Sequence, residues 1–229
     1  MSSSTTPAGF ARRRLGHSLN MPHALSLTFD DGPDPTWTPQ ILRQLQSCQA
    51  AATFFLVGER VLAEPALARK VLAAGHDIQL HCHRHVRHTE LTEVELQHDS
   101  ESALATLESI GVRPRLWRAP WGVCTDASHR VAERLGLQLV GWSIDTHDWR
   151  GDEPQAMLDH VRSRLVDSGA VLMHDALGPG ARRAGCQNTL ALLPQLVTAA
   201  RAHGLLLAPM GYRADYHPAT GQPTTGAVA

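Results

Sequence analysis

Two adjacent carboxylates, Asp30 and Asp31, end a short apolar run and precede a Gly-Pro turn in the stretch LTFDDGPD. Like charges side by side repel each other, so a chain that keeps such a pair gives the two groups different roles or places a cation between them. The sequence therefore predicts that these two aspartates belong to a site with further partners.

The stretch HCHRHVRH supplies candidate ligands for such a cation. His81 and His85 are four residues apart, so one helical turn would place both imidazoles on one face. Two imidazoles that converge with the carboxylate of Asp31 form a three-ligand site with open positions, which is typical of a catalytic metal rather than a structural one. The alternative is a solvated basic loop or a fortuitous metal-binding tract. His85 and His88 are three residues apart and could also face together, whereas His83 would point elsewhere.

Arg118 is the candidate partner for the carboxylate that a metal would leave free. It follows an apolar run in the stretch WRAPWG and precedes Pro120 and Trp121. A guanidinium holds a carboxylate in its ionised form through charge-assisted hydrogen bonds, and Asp30 needs such a partner if Asp31 binds the metal. The alternative is a surface arginine beside a core tryptophan.

Two later strand ends carry further polar residues with acid or base chemistry. Asp145 follows a predicted strand in the stretch SIDTHDW, with Asp148 and Trp149 beyond it, and His174 ends the predicted strand AVLMH. A histidine with a nearby carboxylate forms an acid/base pair, because the carboxylate orients the ring and favours its protonated form. Each motif is weak evidence alone, but their shared place at strand ends makes coincidence a poor explanation.

The elements that must position these residues alternate regularly between strand and helix. Seven short apolar runs, among them AATFFLVG and LQLVGWSI, alternate with amphipathic stretches such as EPALARKVLAA, and this alternation predicts a parallel sheet. The polar residues follow the carboxyl ends of different strands, which share one face in a barrel but spread along a line in an open sheet. We therefore predict an α/β fold, a deformed (β/α) barrel with about seven parallel strands.

Composition limits the classes of function. The chain has 229 residues, 43% of them hydrophobic, and a formal net charge of -1, so one α/β domain is expected and nucleic acid is not an expected partner. Four scattered cysteines without a CxxC pair favour free thiols in a reducing compartment. We recognise no signal peptide or membrane-spanning run, which predicts a cytoplasmic protein without a membrane partner. The sequence gives no basis for an oligomeric state.

Small and polar residues dominate both ends of the chain. Ser, Thr, Pro and Gly are frequent there, so residues 1–22 and 211–229 are predicted to be flexible tails. Residues 23–210 are predicted to form the folded domain.

Five stretches occur in one family's order along this domain: TFDDGPD, HCHRH, RAPWG, DTHDW and LMH. Together they resemble the successive motifs of the NodB-homology polysaccharide deacetylases, also called carbohydrate esterase family 4. The resemblance implies a deformed (β/α) barrel with seven or eight strands and a hydrolase that removes an N-acetyl group from an amino sugar. The expected substrate is then an N-acetylated polysaccharide or a chitooligosaccharide.

The resemblance also assigns roles to the first three motifs. Asp31, His81 and His85 would hold one divalent metal ion, most often zinc, although this donor set also suits cobalt, iron or manganese. Asp30 would be the general base that takes a proton from the attacking water. Arg118 would hold Asp30 in place.

The last motifs would supply the acid and the substrate contacts. By the same resemblance, His174 would be the general acid that protonates the leaving amine, with Asp145 tuning it. Leu172 and Trp149 would line the acetyl pocket, and the backbone N–H of Trp121 would help to stabilise the oxyanion.

One position departs from the family's pattern. The family usually places Ser or Thr directly after the first histidine ligand, where the hydroxyl is thought to brace the loop, but here the residue is Cys82. A thiol is a weaker hydrogen-bonding group, so a tolerated replacement with a slightly looser loop is one interpretation. The other is that the Cys82 thiolate joins or competes for the metal, since zinc binds sulfur well.

The stretch HDALGPGARRAGCQN follows the predicted acid, and its Gly-Pro-Gly core suggests a loop over the cleft. Arg182 and Arg183 in this loop would be solvated, or would meet an anionic substituent or the sugar hydroxyls of the substrate. Two other functions stay open: a carbon-nitrogen hydrolase acting on a non-sugar amide or ureide, and a catalytically dead glycan-binding module.

Overall fold

The computed structural model describes residues 23–211 and the backbone of two short antiparallel strands, Tyr216–His217 and Gln222–Pro223. The predicted tail 1–22 lies outside the described residues. So does the predicted tail 211–229, apart from Gly211 and these two strands.

Strands and helices alternate along the described domain, as the sequence predicts. The strands of the main sheet are β1 (Ala24–Asp30), β2 (Ala52–Val57), β3 (Asp77–Cys82), β4 (Leu116–Trp117), β5 (Gln138–Leu139), β6 (Ile144–Asp145), β7 (Ala170–His174) and β8 (Leu206–Leu207). The helices are α1 (Thr38–Ser47), α2 (Gly58–Ala63), α3 (Pro65–Ala73), α4 (Glu93–Ser109), α5 (Asp126–Leu135), α6 (Pro154–Arg162) and α7 (Gln187–Ala202). Short 3₁₀ turns lie at His88–Glu90, Pro120–Gly122 and Asp148–Arg150.

The main sheet is parallel and curls into an incomplete barrel. Its hydrogen-bonded order is β5-β4-β3-β2-β1-β7-β6, and β8 pairs with the beginning of β1. All six residues of β2 are buried, because helices cover the outer face of the sheet and side chains fill the inner face. The prediction of a deformed barrel with about seven parallel strands is confirmed.

The sequence prediction missed a break in the stretch LQLVGWSI. This stretch forms two separate short strands, β5 and β6, which are the two ends of the sheet's order. The Val140 N–H still donates to the Trp117 carbonyl of β4, whereas the Ser143 N–H donates to the Ala170 carbonyl of β7. The chain therefore changes partners at residues 141–142, and the barrel is open at this place.

The sequence also missed helix α2. The pattern AATFFLVG predicts a strand that runs through Gly58, but the strand ends at Val57 and the helix begins at Gly58. The backbone N–H of Glu59 donates to the His83 carbonyl, which ties the start of this helix to the loop after β3. No helix within residues 23–211 is both long enough and apolar enough to cross a membrane.

Candidate active site

A cavity of about 450 Å³ opens where the carboxyl ends of the parallel strands converge. Nine of the ten predicted site residues line it, and the tenth, Arg118, is fully buried. The nine are Asp30, Asp31, His81, His85, Trp121, Asp145, Trp149, Leu172 and His174.

The predicted metal ligands converge on one point of this cavity. Oδ1 of Asp31 lies 3.4 Å from Nε2 of His81 and 3.0 Å from Nε2 of His85. One donor atom from each of the three residues lies within 4.8 Å of the others. Burial alone would raise the pKa of the Asp31 carboxyl, but the two imidazoles hold it well below its usual value. A carboxylate is therefore present at this point.

The hydrogen bonds around these three residues leave lone pairs free to bind a divalent metal ion. Nδ1 of His81 lies 2.7 Å from the Arg118 carbonyl oxygen, so Nδ1 carries the proton and Nε2 presents its lone pair toward Asp31. Oδ1 of Asp31 is buried and accepts no hydrogen bond of normal geometry. An orphaned buried carboxylate oxygen beside two imidazoles is the donor set of a catalytic metal with open positions.

The predicted helical turn between the two histidines is wrong. His81 belongs to the end of β3, and His85 lies in the loop that follows. Asp99 of α4, which is buried, braces this loop because its carboxylate accepts the backbone N–H groups of His83 and Arg84 at 2.8 and 3.0 Å. Sequence reasoning missed Asp99, although an aspartate on the core face of an amphipathic helix is a detectable signal.

Asp30 points at the same cavity but belongs to a different network. Nη1 of Arg118 donates to Oδ1 of Asp30 at 2.8 Å and to the Thr28 hydroxyl at 2.7 Å, and Nη2 donates to the Gly141 carbonyl at 2.9 Å. The guanidinium also stacks on the ring of Phe55 at 4.1 Å. Arg118 therefore fixes one oxygen of Asp30 and leaves the other available to a water or substrate proton.

The structure changes the assignment of the partner of His174. Nδ1 of His174 lies 2.7 Å from Oδ1 of Asp148, and the backbone N–H of His174 donates to Oδ2 at 2.9 Å. Asp145, the predicted partner, instead accepts the backbone N–H of His147 at 2.7 Å. The chain turns at His147, whose φ of 59° is left-handed. This turn brings the next residue, Asp148, into hydrogen-bonding distance of the His174 ring. The sequence contained both aspartates but not this turn.

The charges around His174 favour its protonated form. Burial alone lowers the pKa of His174, but the Asp148 carboxylate more than offsets this and raises the pKa to about 9. Burial likewise would raise the pKa of Asp148, but the charges of His174 and Arg183 lower it to about 2. The pair is therefore an imidazolium and a carboxylate at neutral pH.

Apolar and aromatic side chains form another part of the cavity wall, which also includes Arg87, Arg182 and Arg183. Trp121 takes a left-handed backbone conformation, φ 54°, and its ring meets the His85 imidazole edge-on at 4.4 Å between centroids. Leu172 and Trp149 line the same cavity.

Sequence reasoning missed Trp142, which lies at the opening of the barrel and also lines the cavity. A Cβ on Gly122 would stand 2.5 Å from the Trp142 ring, so glycine is required there.

Cys82 stays apart from the three ligand atoms. It is buried at the end of β3, next to His81, and adjacent side chains of a strand point to opposite faces. Burial raises the pKa of its thiol well above the usual value, so the thiol keeps its proton. Among the described residues, the group of atoms able to share an ion contains Asp31, His81 and His85 but not Cys82.

The two arginines of the loop after β7 differ in exposure, although the sequence analysis treated them alike. Arg182 is exposed, with its guanidinium 5.7 Å from the Trp149 ring. The Arg183 side chain is only 4% exposed, and its guanidinium forms an ion pair with Asp148 at 2.9 Å. Arg183 therefore belongs to the group of side chains around Asp148 and His174.

The chain is similar to known deacetylases in both sequence and fold. A family model described as polysaccharide deacetylase matches residues 20–140. A peptidoglycan-N-acetylglucosamine deacetylase of Bacillus cereus is 37% identical over 153 residues, which are 66% of this chain and 72% of that protein. A chitooligosaccharide deacetylase of Bradyrhizobium sp. is 30% identical over 208 residues, which are 88% of this chain and 95% of that protein.

A solved structure supports the same relationship. A family 4 carbohydrate esterase from Streptomyces lividans, in complex with acetate, superposes with a TM-score of 0.75 at 27% sequence identity. The superposition covers 89% of this chain and 97% of that one. The chain therefore belongs to the polysaccharide deacetylase family of carbon-nitrogen hydrolases.

Proposed function

We propose that this chain is a metal-dependent hydrolase that removes N-acetyl groups from an amino-sugar glycan of the chitooligosaccharide or peptidoglycan type. The observation that carries the proposal is that two sets of groups line one cavity. The first is the three candidate metal ligands with the neighbouring carboxylate of Asp30, and the second is the His174 imidazolium held by the buried Asp148 carboxylate. The substrate class follows from the relatives named as deacetylases of such glycans.

In this proposal Asp31, His81 and His85 hold the metal ion, and zinc suits one carboxylate and two imidazoles well. When bound, such an ion supplies Lewis-acid stabilisation of negative charge on oxygen. The Arg118 carbonyl orients the His81 ring by accepting its Nδ1–H, and such outer partners fix the tautomer of a ligand histidine.

Asp30 acts as the general base. Arg118 saturates one of its oxygens, which leaves the second to accept a proton from the water that attacks the amide carbonyl carbon. Because the guanidinium fixes the carboxylate, the proton acceptor is in place before the substrate arrives.

His174 acts as the general acid. Amide hydrolysis expels an amine, which is a poor leaving group until it is protonated. The Asp148 carboxylate keeps the imidazole protonated and fixes Nδ1, so Nε2 is the atom that gives its proton to the departing nitrogen. Leu172 and Trp149 offer an apolar surface for the acetyl methyl group.

Acetate release is the experiment that tests this function. Purified protein is freed of metal, reloaded with zinc, cobalt, iron or manganese, and incubated with N-acetylglucosamine oligomers, with Asp31→Asn as the matched control. We expect acetate only from the loaded wild-type protein. A panel of linear non-sugar amides and ureides is run in parallel, and faster turnover there, or no acetate from any sugar, would contradict the proposal. The cytoplasmic location expected from the sequence stays a prediction.

A further inference from the structure

We infer that Arg183 is a positioning residue for the general acid, because its guanidinium locks the Asp148 carboxylate in the orientation that serves His174. This inference rests on the proposed function, in which His174 protonates the leaving amine. Arg183 borders the cavity, but its guanidinium is hydrogen-bonded to Asp148, Thr189 and the His174 carbonyl rather than to a metal ligand, so we expect its effect to pass through Asp148.

The contacts of Arg183 all belong to the surroundings of the acid. Nη1 donates to Oδ2 of Asp148 at 2.9 Å and to the Thr189 hydroxyl. Nη2 lies 3.2 Å from the His174 carbonyl oxygen and 3.3 Å from Sγ of Cys186. The planar guanidinium of Arg183 thus connects the end of β7, the start of α7 and the Asp148 carboxylate.

The carboxylate of Asp148 is held unequally at its two oxygens. Oδ2 accepts three hydrogen bonds, from the His174 backbone N–H at 2.9 Å, the Thr189 hydroxyl at 2.8 Å and Arg183 at 2.9 Å. Oδ1 is left for the His174 imidazole at 2.7 Å. Saturating one oxygen prevents rotation of the group, which directs the other oxygen at Nδ1 and fixes the ring.

Burial makes this arrangement a strong constraint. The Arg183 side chain is 4% exposed and that of Asp148 is 0% exposed, so the pair is shielded from water. A buried charge pair that loses one partner leaves an uncompensated charge, and its other contacts then rearrange. The loop that carries Arg183 is tied down here as well, because the Arg182 backbone N–H donates to the Trp149 carbonyl at 2.8 Å.

A double-mutant cycle on turnover separates positioning from simple structural support. We expect Arg183→Met to reduce kcat by about 10²-fold with little change in KM, since a misplaced catalytic group costs about this much. In an Asp148→Asn background the same change should have little further effect, because the carboxylate that Arg183 positions is gone. Equal reductions in both backgrounds would overturn the inference.

Two further variants guard the test against a folding defect. Arg201→Met is the matched control, because Arg201 of α7 also donates to backbone carbonyls, those of Cys48 and Gln49, but lies away from the cavity. It should leave kcat unchanged. Thr189→Val removes a single donor from Oδ2 of Asp148 and should give a smaller fall in kcat than Arg183→Met. Unchanged kcat in Thr189→Val and in a folded Arg183→Met protein would also overturn the inference.

A spectroscopic signal keeps the inference separate from the proposed function. The Nδ1 proton of a histidine bound to a carboxylate resonates far downfield in proton NMR and persists only while the hydrogen bond is held. We expect this signal of His174 to be lost in Arg183→Met and retained in Arg201→Met. If wild-type protein releases no acetate, the proposed function fails, whereas a retained signal in Arg183→Met contradicts the positioning role alone.

Discussion

The two adjacent aspartates differ in what holds them. Asp30 is bound by Arg118, whereas Asp31, with a left-handed φ of 77°, turns its carboxylate toward the two histidines. A non-glycine residue with positive φ is strained, and such strain persists where the surrounding structure requires it. The two carboxylates therefore face different partners: Asp30 faces a guanidinium, and Asp31 faces two imidazoles that can share a cation with it.

Asp30→Asn tests the division of roles between these neighbours. The amide keeps the shape of the side chain and can still accept from Arg118, but it takes no proton from water. We expect kcat to fall by roughly 10²- to 10⁴-fold, the usual contribution of a general base, while the metal content stays at the wild-type level. Metal analysis and acetate release measure both quantities. Asp31→Asn is the comparison, and it should lose the metal as well.

Asp148→Asn tests the pairing with His174 through the pH dependence of kcat. The pKa of His174 is raised to about 9, so the acid is protonated below that pH and turnover falls as the pH rises through it. Removal of the Asp148 charge takes away the largest of the effects that oppose burial, which lowers the pKa of His174. The alkaline limb should therefore move to lower pH. Asp145→Asn should leave the pH of the alkaline limb unchanged, whatever it does to the size of kcat. An alkaline limb that moves in Asp145→Asn but not in Asp148→Asn would refute the pairing of Asp148 with His174.

At the scale of elements, strand ends were predictable and loop paths were not. Asp30 and His174 end strands whose apolar character the sequence shows, so their placement at one edge followed from parallel pairing. Asp148 rather than Asp145 pairs with His174 because of a left-handed turn at His147. The loop that carries His85 is held by Asp99, which belongs to a helix distant in the sequence. Such contacts arise from tertiary packing, which local patterns do not encode.

The break between β5 and β6 shows the same limit. The run LQLVGWSI is continuous in hydrophobic character, yet its middle is where the Gly141 carbonyl turns inward to accept from Arg118. The break between β5 and β6 thus supplies a buried guanidinium with one of the acceptors that it needs. Trp142 lies in this break, so a feature that looked like part of a strand became a wall of the cavity.

Gly178→Ala tests how closely the loop between β7 and α7 approaches the metal group. A Cβ at this position would overlap Oδ2 of Asp31, which is buried and cannot move without leaving the two imidazoles. We expect the affinity for zinc to fall by roughly 10- to 100-fold, as for other changes next to metal ligands. Titration calorimetry measures this affinity. Gly141→Ala is the matched control, because a Cβ there meets no atom within 4 Å, and equal losses in both variants would contradict the argument.

At the scale of the whole molecule, the three candidate metal ligands come from distant parts of the chain. Asp31 follows β1, His81 is the penultimate residue of β3, and His85 lies in the loop beyond, so the native fold brings the ligands together and the unfolded chain does not. Anything that binds the folded state alone stabilises it by mass action. The ion should therefore act as a link between neighbouring βα loops as well as a reagent.

Thermal unfolding with and without metal tests this link. We expect zinc at about 100 times its Kd to raise the free energy of unfolding by about 2.7 kcal/mol, and Tm to rise with zinc concentration. In Asp31→Asn the dependence of Tm on zinc should largely disappear, because the carboxylate ligand is lost. Asp30→Asn is the matched control: it changes the neighbouring carboxylate, so it should keep the full shift in Tm. A zinc-dependent Tm that survives in Asp31→Asn would place the ion elsewhere and refute the assignment of the ligands.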